Sequence, residues 1–219
     1  RYCDHLVLLD KGSANELSEP KVIGTMRLME SNVAQKNLGF YSAKEFNLDR
    51  LLQENMNSQE IGRACVEKSY RSNTAIHFLW LGLADYVRER NISLMFGVAS
   101  FHGRDSFQFG SALTFLKNKY SAPERFNFKA KSAGYVNMNI VSPNRLDPKA
   151  AVAQIPSLLK SYLRMGAKVS DGAFLDSQFN TVESSLYYLR SQLGWPPVNI
   201  RGYALHRLGV FVTTTTLHS

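Results

Sequence analysis

The chain has 219 residues, of which 44% are hydrophobic, so it is long enough to bury one sizeable core. Its 26 Lys and Arg against 18 Asp and Glu give a formal net charge of +8, which attracts acidic partners without choosing among nucleic acid, an anionic membrane and an acidic carrier protein. The only cysteines, Cys3 and Cys65, exclude a disulfide framework and stand at no zinc-ligand spacing, so we predict no metal site. An apolar run of the roughly 20 residues that a membrane-spanning helix needs is also absent.

The first part of the chain predicts strands. His5–Leu9 and Val22–Met29 are typical of an antiparallel hairpin with a long loop. A short helical turn is expected near Leu48–Leu52, followed by a strand over Glu60–Val66. Because the chain enters its first strand almost at once, we expect an N-terminal part to be missing.

The clearest helix follows Asn73, a suitable N-cap. Its apolar stripe consists of Ile76, Leu79, Trp80, Leu83, Ala84 and Val87. The next segment, Ser93–Ser100, is almost continuously apolar, as in a strand that is buried on both faces. Strand, loop, helix and strand in this order predict a right-handed crossover and a parallel strand pair.

Two further helices are predicted in the second half. Asp105 can cap one that ends before Pro123, and Asp147 with Pro148 can begin another that Gly166 closes.

The segment from Val66 to Ala75 leads from a strand through a basic loop into the N-terminus of the predicted helix. Free backbone N–H groups and the positive end of the helix dipole can bind a phosphate there, and Arg71 adds a full charge. The alternative is an ordinary crossover whose basic loop is only solvated.

Several separated blocks resemble one family. The segments Glu60–Val66, Tyr70–Ser72, Leu79–Leu83 and Phe96–Phe101 resemble, in order, the ornithine N-acyltransferases. These enzymes belong to the Gcn5-related (GNAT) superfamily, are often labelled haemolysin-like and are related to acyl-homoserine-lactone synthases. The resemblance implies a GNAT-like α/β fold, with a mixed, mostly antiparallel sheet, a central parallel strand pair and helices on both faces.

The resemblance also implies domain limits. It extends to about Phe179, so we expect a GNAT-like acyltransferase domain over residues 1–180 and an atypical tail over 181–219. The family continues with an apolar strand where this chain has Glu183-Ser184-Ser185, so we expect the sheet to lack that partner strand.

The implied reaction moves a 3-hydroxyfatty acyl group from a carrier thioester to the α-amino group of L-ornithine, giving lyso-ornithine lipid. The donor is an acyl carrier protein phosphopantetheine thioester or acyl-CoA, and no tightly bound cofactor is expected. The residues that the resemblance assigns to the donor are Val66, Tyr70, Arg71, Ser72, Asn73, Thr74 and Ala75. GNAT enzymes usually carry glycines where this chain has Asn73-Thr74-Ala75, which weakens the case for coenzyme A and is compatible with a carrier protein.

An amine nucleophile must lose a proton, attack the thioester and have its oxyanion stabilised. Glu60 is the candidate base, directly or through water, and Arg63 the candidate for orienting the acceptor or the donor. In a regular strand these two side chains face opposite ways, but a β-bulge at Gly62 would bring them together and free a backbone N–H for the oxyanion. The alternative for Glu60 is a salt bridge at the rim.

Six residues are candidates for binding the amino-acid acceptor. These are Asp4, His5, Arg27, Glu30, Ser100 and His102. Arg27 and Glu30 more often face solvent in such a position, and His5 can equally be a histidine at the edge of the core. His102 is also a candidate acid toward the leaving thiolate.

A basic run interleaved with aromatic residues is a candidate docking surface for the carrier protein or lipid headgroups. Its cations are Lys117, Lys119, Arg125, Lys129 and Lys131. The pattern also suits single-stranded nucleic acid, although we expect no nucleic-acid partner, and it is equally typical of a solvated face over core aromatics.

Two other functions stay open: signal synthesis as in the lactone synthases, and a non-catalytic module that binds a membrane surface or nucleic acid. Under the leading interpretation the protein is cytoplasmic, with peripheral contact to the inner face of an anionic membrane as an option.

Overall fold

A computed structural model of the chain describes residues 2–12, 19–54, 56–71 and 75–190, together with the backbone of 208–214. The strands are β1 (Asp4–Asp10), β2 (Lys21–Glu30), β3 (Ser58–Val66), β4 (Leu94–His102), β5 (Tyr135–Val136), β6 (Lys168–Asp176), β7 (Thr181–Leu189) and β8 (Leu208–Thr214). The α-helices are α1 (Ser31–Lys36), α2 (Asp49–Gln53), α3 (Ala75–Glu89), α4 (Gly110–Tyr120), α5 (Pro148–Gln154) and α6 (Ser157–Arg164). The described residues form two compact units.

The first unit contains the described residues of 1–39 and 57–93 and strand β8. Its strands lie in the order β3-β2-β1-β8, and each neighbouring pair is antiparallel. The predicted hairpin of β1 and β2 is therefore confirmed, with His5 opposite Arg27 in its register.

Helix α3 packs on one face of this sheet. Leu79 and Leu83 have no exposed surface, and Leu6 and Leu8 of β1 are equally buried. The approach is close at Gly24 of β2, where a Cβ atom would lie 3.3 Å from Leu79 Cδ1. With 15 residues α3 is the longest described helix, and no helix in the described ranges is long and apolar enough to cross a membrane.

The second unit contains the described residues of 40–56 and 94–190. Its strands lie in the order β5-β6-β7-β4, again with antiparallel neighbours. Aromatic side chains fill its core, and Phe96 of β4 packs edge-to-face on Phe40 with ring centroids 4.8 Å apart. Antiparallel strands combined with helices confirm the predicted mixed α/β class.

Most predicted elements agree with the structure to within a few residues. Asp105 accepts a hydrogen bond from Phe107 N at the start of a 3₁₀ turn that leads into α4, and Asp147 caps α5 through Lys149 N. The single helix predicted from Pro148 to Gly166 is wrong. Pro156 has no N–H to donate and disfavours a helical residue before it, so the segment splits into α5 and α6.

The expectation that the sheet lacks a partner strand after Phe179 is also wrong. Strand β7 lies between β4 and β6 and pairs with both along its length. Residues on both faces of the strand are buried, and they include Glu183, Ser184 and Ser185. The domain limit at residue 180 stays a prediction.

Burial leaves some polar groups of β7 without partners. The Tyr188 hydroxyl has no hydrogen-bond partner among the described residues, and burial raises its pKa well above the usual value. In contrast, the buried Tyr86 hydroxyl of α3 lies 2.8 Å from Asp4 Oδ2 and 2.9 Å from Glu30 Oε1.

We therefore expect opposite effects when each hydroxyl is removed. Tyr188→Phe relieves a desolvated hydroxyl and should leave the free energy of unfolding unchanged or raise it by up to about 1 kcal/mol, whereas Tyr86→Phe should lower it by about 1 to 3 kcal/mol. Urea denaturation of both variants measures this difference. Equal destabilisation would mean that the Tyr188 hydroxyl is paired.

Candidate active site

Strand β3 carries an irregularity at the predicted place. Gly62 lies opposite Arg27, but the register with β2 resumes only at Cys65 opposite Thr25, which leaves one extra residue on β3. Arg63, directly after Gly62, has a φ of 54°, the left-handed conformation that residues with a side chain rarely adopt. The predicted β-bulge is confirmed, and its distorted residue is Arg63.

Glu60 is buried beside this bulge and is paired with a cation. Its side chain is 3% exposed, and Arg27 Nη2 lies 3.3 Å from its Oε2. Gly62 makes room for the guanidinium, because a Cβ atom there would lie 3.0 Å from Arg27 Nη2. Glu60 therefore forms an ion pair inside the unit rather than at the rim, whereas Arg63 is exposed.

His5, Arg27 and Gly62 form one row across β1, β2 and β3. Directly opposed residues of neighbouring strands project from the same face of a sheet, and so do residues two apart on one strand. Glu60, opposite Met29, thus shares a face with His5 and Arg27. Three predicted site residues converge on this face.

Two other predicted acceptor residues, Asp4 and Glu30, belong to the opposite face. Asp4 lies opposite Leu28, and the contacts of both carboxylates come from α3 and the residue that follows it. Arg90 lies 3.2 Å from Asp4 Oδ2 and 2.6 Å from Glu30 Oε1. Burial, together with the two carboxylates, raises the pKa of Tyr86 and keeps its hydroxyl a donor.

Within the first unit, Asp4 and Glu30 therefore do not share a face with His5 and Arg27, and the assignment of all four to the acceptor stays a prediction. The pleat places the two pairs on opposite faces, and Tyr86 and Arg90 bind both carboxylates. The expectation that Arg27 and Glu30 face solvent does not hold either, because Glu30 is 8% exposed and the Arg27 side chain 19%.

The predicted donor segment runs from β3 toward α3. Val66 is buried at the end of β3, and its carbonyl accepts a hydrogen bond of 2.8 Å from Arg71 Nε. The Tyr70 hydroxyl donates to Asp10 Oδ2 over 2.6 Å. The described part of helix α3 begins at Ala75, and the predicted N-cap Asn73 precedes it. Ser72, Asn73 and Thr74 lie outside the described residues.

Ser100 and His102 lie in the second unit, at the end of β4. Ser100 Oγ is 2.9 Å from both carboxylate oxygens of Glu183, which lies directly opposite on β7, and His102 is exposed. Glu183 was not among the predicted site residues.

The five predicted docking cations lie in the second unit in different surroundings. Lys117 pairs with Asp171, and Arg125 pairs with Glu54. Lys119 lies 5.4 Å from the centroid of the Phe115 ring. Lys129 and Lys131 are exposed, while Phe126 and Phe128 between them and α4 belong to the core.

Comparison with known proteins assigns the family. The acetyltransferase (GNAT) domain family matches residues 1–81, the part that contains the bulged strand and the start of α3. An L-ornithine N(alpha)-acyltransferase of Rhodobacter capsulatus is 38% identical over 183 residues, covering 84% of this chain and 70% of the relative. The chain belongs to the L-ornithine N(alpha)-acyltransferase family.

Two further members of this family are close to the chain. The protein of Brucella abortus is 38% identical over 184 residues, covering 83% of this chain and 65% of the relative. The protein of Rhizobium meliloti is 36% identical over 183 residues, covering 83% and 62%. The chain thus spans a little under two thirds of the length of these two relatives.

Two solved structures also match the chain. A coenzyme A complex of aminoglycoside 6'-N-acetyltransferase is 13% identical and FeeM, an N-acyl amino acid synthase from uncultured soil microbes, is 10% identical. They cover 84% and 86% of this chain, and 73% and 76% of their own chains, each with a TM-score of 0.39. The family assignment rests on the sequence matches.

The ion pair between Arg27 and Glu60 generates a prediction about stability. Arg27→Ala leaves a carboxylate buried without this cation and should lower the free energy of unfolding by about 3 kcal/mol. Glu60→Gln in the same chain should restore part of that loss, with a coupling energy of about 1 to 3 kcal/mol. Denaturant unfolding of both single variants and the double variant measures the coupling. Strictly additive effects would show that the pair does not stabilise the protein.

Proposed function

We propose that this protein transfers a 3-hydroxyfatty acyl group from an acyl carrier protein thioester to the α-amino group of L-ornithine, giving lyso-ornithine lipid. The observation that carries the proposal is 38% identity, over most of the chain, to proteins named for ornithine N-acylation. The buried carboxylate beside a bulged strand supplies the chemistry that such a transfer needs.

The reaction starts with the α-ammonium group of the acceptor, which must lose a proton before its nitrogen can attack. Glu60 takes that proton, directly or through a water molecule. Before the transfer, Arg27 compensates the negative charge of the Glu60 carboxylate. The nitrogen lone pair then attacks the thioester carbonyl. The second amine proton leaves as the C–S bond breaks, the thiolate is protonated, and an amide remains.

The oxyanion of the tetrahedral intermediate needs donors that are already in place. The bulge takes backbone N–H groups near Arg63 out of the regular β2–β3 ladder and changes the direction in which they point. The exposed Arg63 guanidinium adds a positive charge on the same segment. We assign the oxyanion and the orientation of the donor to this segment.

The donor arm is bound where the chain passes from β3 to α3. The positive end of the 15-residue helix and Arg71 provide a phosphate site, while Tyr70 is fixed by Asp10. The chain has no glycine between Arg71 and Ala75, so its backbone approaches a pyrophosphate less freely. A single phosphopantetheine phosphate does not require the backbone to approach as closely as a pyrophosphate does. This difference favours a carrier protein over coenzyme A.

The acceptor is bound on the face that carries His5, Arg27 and Glu60. Asp4 and Glu30 take a different role in this proposal, because Tyr86 and Arg90 already bind them: they fasten α3 to the strands that carry the site. Any contact with an anionic membrane is peripheral and follows from the net charge of +8.

The first test is the reaction itself. The purified protein is incubated with a 3-hydroxyacyl carrier thioester and ornithine, and mass spectrometry should show an amide with a free carboxylate rather than a lactone. Glu60→Gln should lower the rate about a hundredfold or more, since a general base contributes at least that much, and Arg63→Ala should also lower it strongly. Glu89→Gln, on the exposed end of α3, is the matched control and should be fully active.

Circular dichroism separates loss of chemistry from loss of folding in these variants. Full activity of Glu60→Gln and Arg63→Ala would remove both residues from the site. Failure of the wild-type protein to form the amide would overturn the proposed reaction.

The second test concerns the carrier protein. Lys129 and Lys131 are two exposed cations of the basic run, so the double variant Lys129→Glu/Lys131→Glu should repel an acidic carrier. We expect its kcat/KM to fall about tenfold or more with the carrier thioester and to stay unchanged with acyl-CoA. Lys149→Glu, an exposed lysine on α5, is the control. Equal effects on both donors would exclude these lysines as the dock.

A further inference from the structure

Asp10 is a buried carboxylate next to the donor segment, and it takes no direct part in the proposed acyl transfer. It ends β1 and is 5% exposed, although removing a carboxylate from water is costly. Its Oδ1 accepts a hydrogen bond of 2.9 Å from Gly12 N, which closes a local turn. Its Oδ2 accepts one of 2.6 Å from the Tyr70 hydroxyl, 60 positions along the chain. Asp10 therefore also contacts the segment that leads into α3.

Two side-chain contacts join residues 67–71 to the end of the β1–β2 hairpin. Lys21, the register partner of Asp10, places its Nζ 2.8 Å from Glu67 Oε1. Both side chains of this ion pair are exposed, so it contributes little. The hydrogen bond between Tyr70 and the buried carboxylate of Asp10 is charge-assisted and less exposed to solvent, which makes it the stronger contact.

This hydrogen bond also decides what the Tyr70 hydroxyl can do. A phenol has one proton, and Tyr70 uses it for Asp10, so it has none left to donate to a phosphate. Tyr70 N donates to Glu67 O over 2.9 Å, and Arg71 N donates to Lys68 O over 3.3 Å. These bonds form one 3₁₀ turn, which the anchored hydroxyl restrains as a whole.

Arg71 follows directly and is oriented by the same turn. Its Nε donates to Val66 O over 2.8 Å, and neither of its Nη atoms has a hydrogen bond or ion pair within the described parts of the chain. Two such groups form a planar fork that fits two phosphate oxygens. Because Arg71 is exposed, a ligand can reach this fork.

We propose that Asp10 is a positioning residue for the acyl donor: through the Tyr70 hydroxyl it fixes the turn that presents Arg71 to the phosphate of the donor arm. This inference rests on the proposed function, which supplies a phosphopantetheine thioester. Without the hydrogen bond the turn adopts other conformations, and the entropy lost in ordering it again opposes donor binding.

The test uses two 3-hydroxyacyl thioesters, of phosphopantetheine and of pantetheine, which differ only in the phosphate. Tyr70→Phe removes the hydroxyl and keeps the ring. In the full chain it should raise KM for the phosphorylated thioester about three- to tenfold, while kcat, KM for ornithine and KM for the pantetheine thioester change less than about twofold. Tyr135→Phe, at an exposed tyrosine of β5, is the matched control and should behave as the wild type.

Asp10→Ala is the second variant and should produce the same selective loss. Adding Tyr70→Phe to it should change nothing further, because the two residues act through one hydrogen bond. Tyr70→Phe alone keeps the inference testable if Asp10→Ala does not fold.

Three results would overturn the inference: equal losses with both thioesters, no loss with the phosphorylated one, or a wild type that uses both thioesters equally well and so has no phosphate site to position. Failure of the proposed function is distinguishable, because the wild-type protein would then form no amide from either thioester.

Discussion

The site depends on a single constraint: the Glu60 carboxylate is buried and must be held there together with Arg27. Removing a carboxylate from water costs several kcal/mol unless a cation and hydrogen bonds replace the solvent. The sheet provides this by placing Arg27 on the neighbouring strand and a bare glycine beneath its guanidinium. A side chain at position 62 would thus crowd the guanidinium, and Gly62 avoids this because it has no Cβ atom.

The bulge next to this pair changes which of the following residues of β3 lie on the same face as Glu60. Without the extra residue at Arg63, Ala64 would share a face with Glu60, whereas the observed register places Cys65 opposite Thr25 on that face. A left-handed non-glycine residue costs about 1 kcal/mol or more, which the pairing on either side of the bulge must offset. Strain of this kind is concentrated at functional sites, and here it lies three residues from the predicted base.

The sequence identified the elements well where local chemistry decides them. The apolar stripe of α3, the caps at Asp105 and Asp147 and the alternation of β1 and β2 follow from propensities within a few residues. The bulge was also predictable, because Glu60 and Arg63 are three residues apart and only an irregular strand can let both serve one site.

The ion-pair partners of the charged side chains were not predictable in the same way. Which carboxylate Arg27 or Arg90 reaches depends on strand register, which no local pattern of these residues fixes. Asp4 and His5 are adjacent in sequence, and the pleat therefore places them on opposite faces of the sheet, where they meet different partners.

The surroundings of strand β7 were the least predictable from sequence. Its sequence has a glutamate, two serines and two tyrosines, a composition typical of a surface segment, yet every residue from Thr181 to Tyr188 is buried. The Oγ of Ser184 and the hydroxyls of Tyr187 and Tyr188 have no hydrogen-bond partner among the described residues, so this strand carries a desolvation cost that an apolar strand would avoid. Glu183 differs from these groups because two hydroxyls orient it. Hydrogen bonds to a carboxylate are stronger than those between neutral groups, so these two hydroxyls offset part of the desolvation cost that the unpartnered groups of β7 retain.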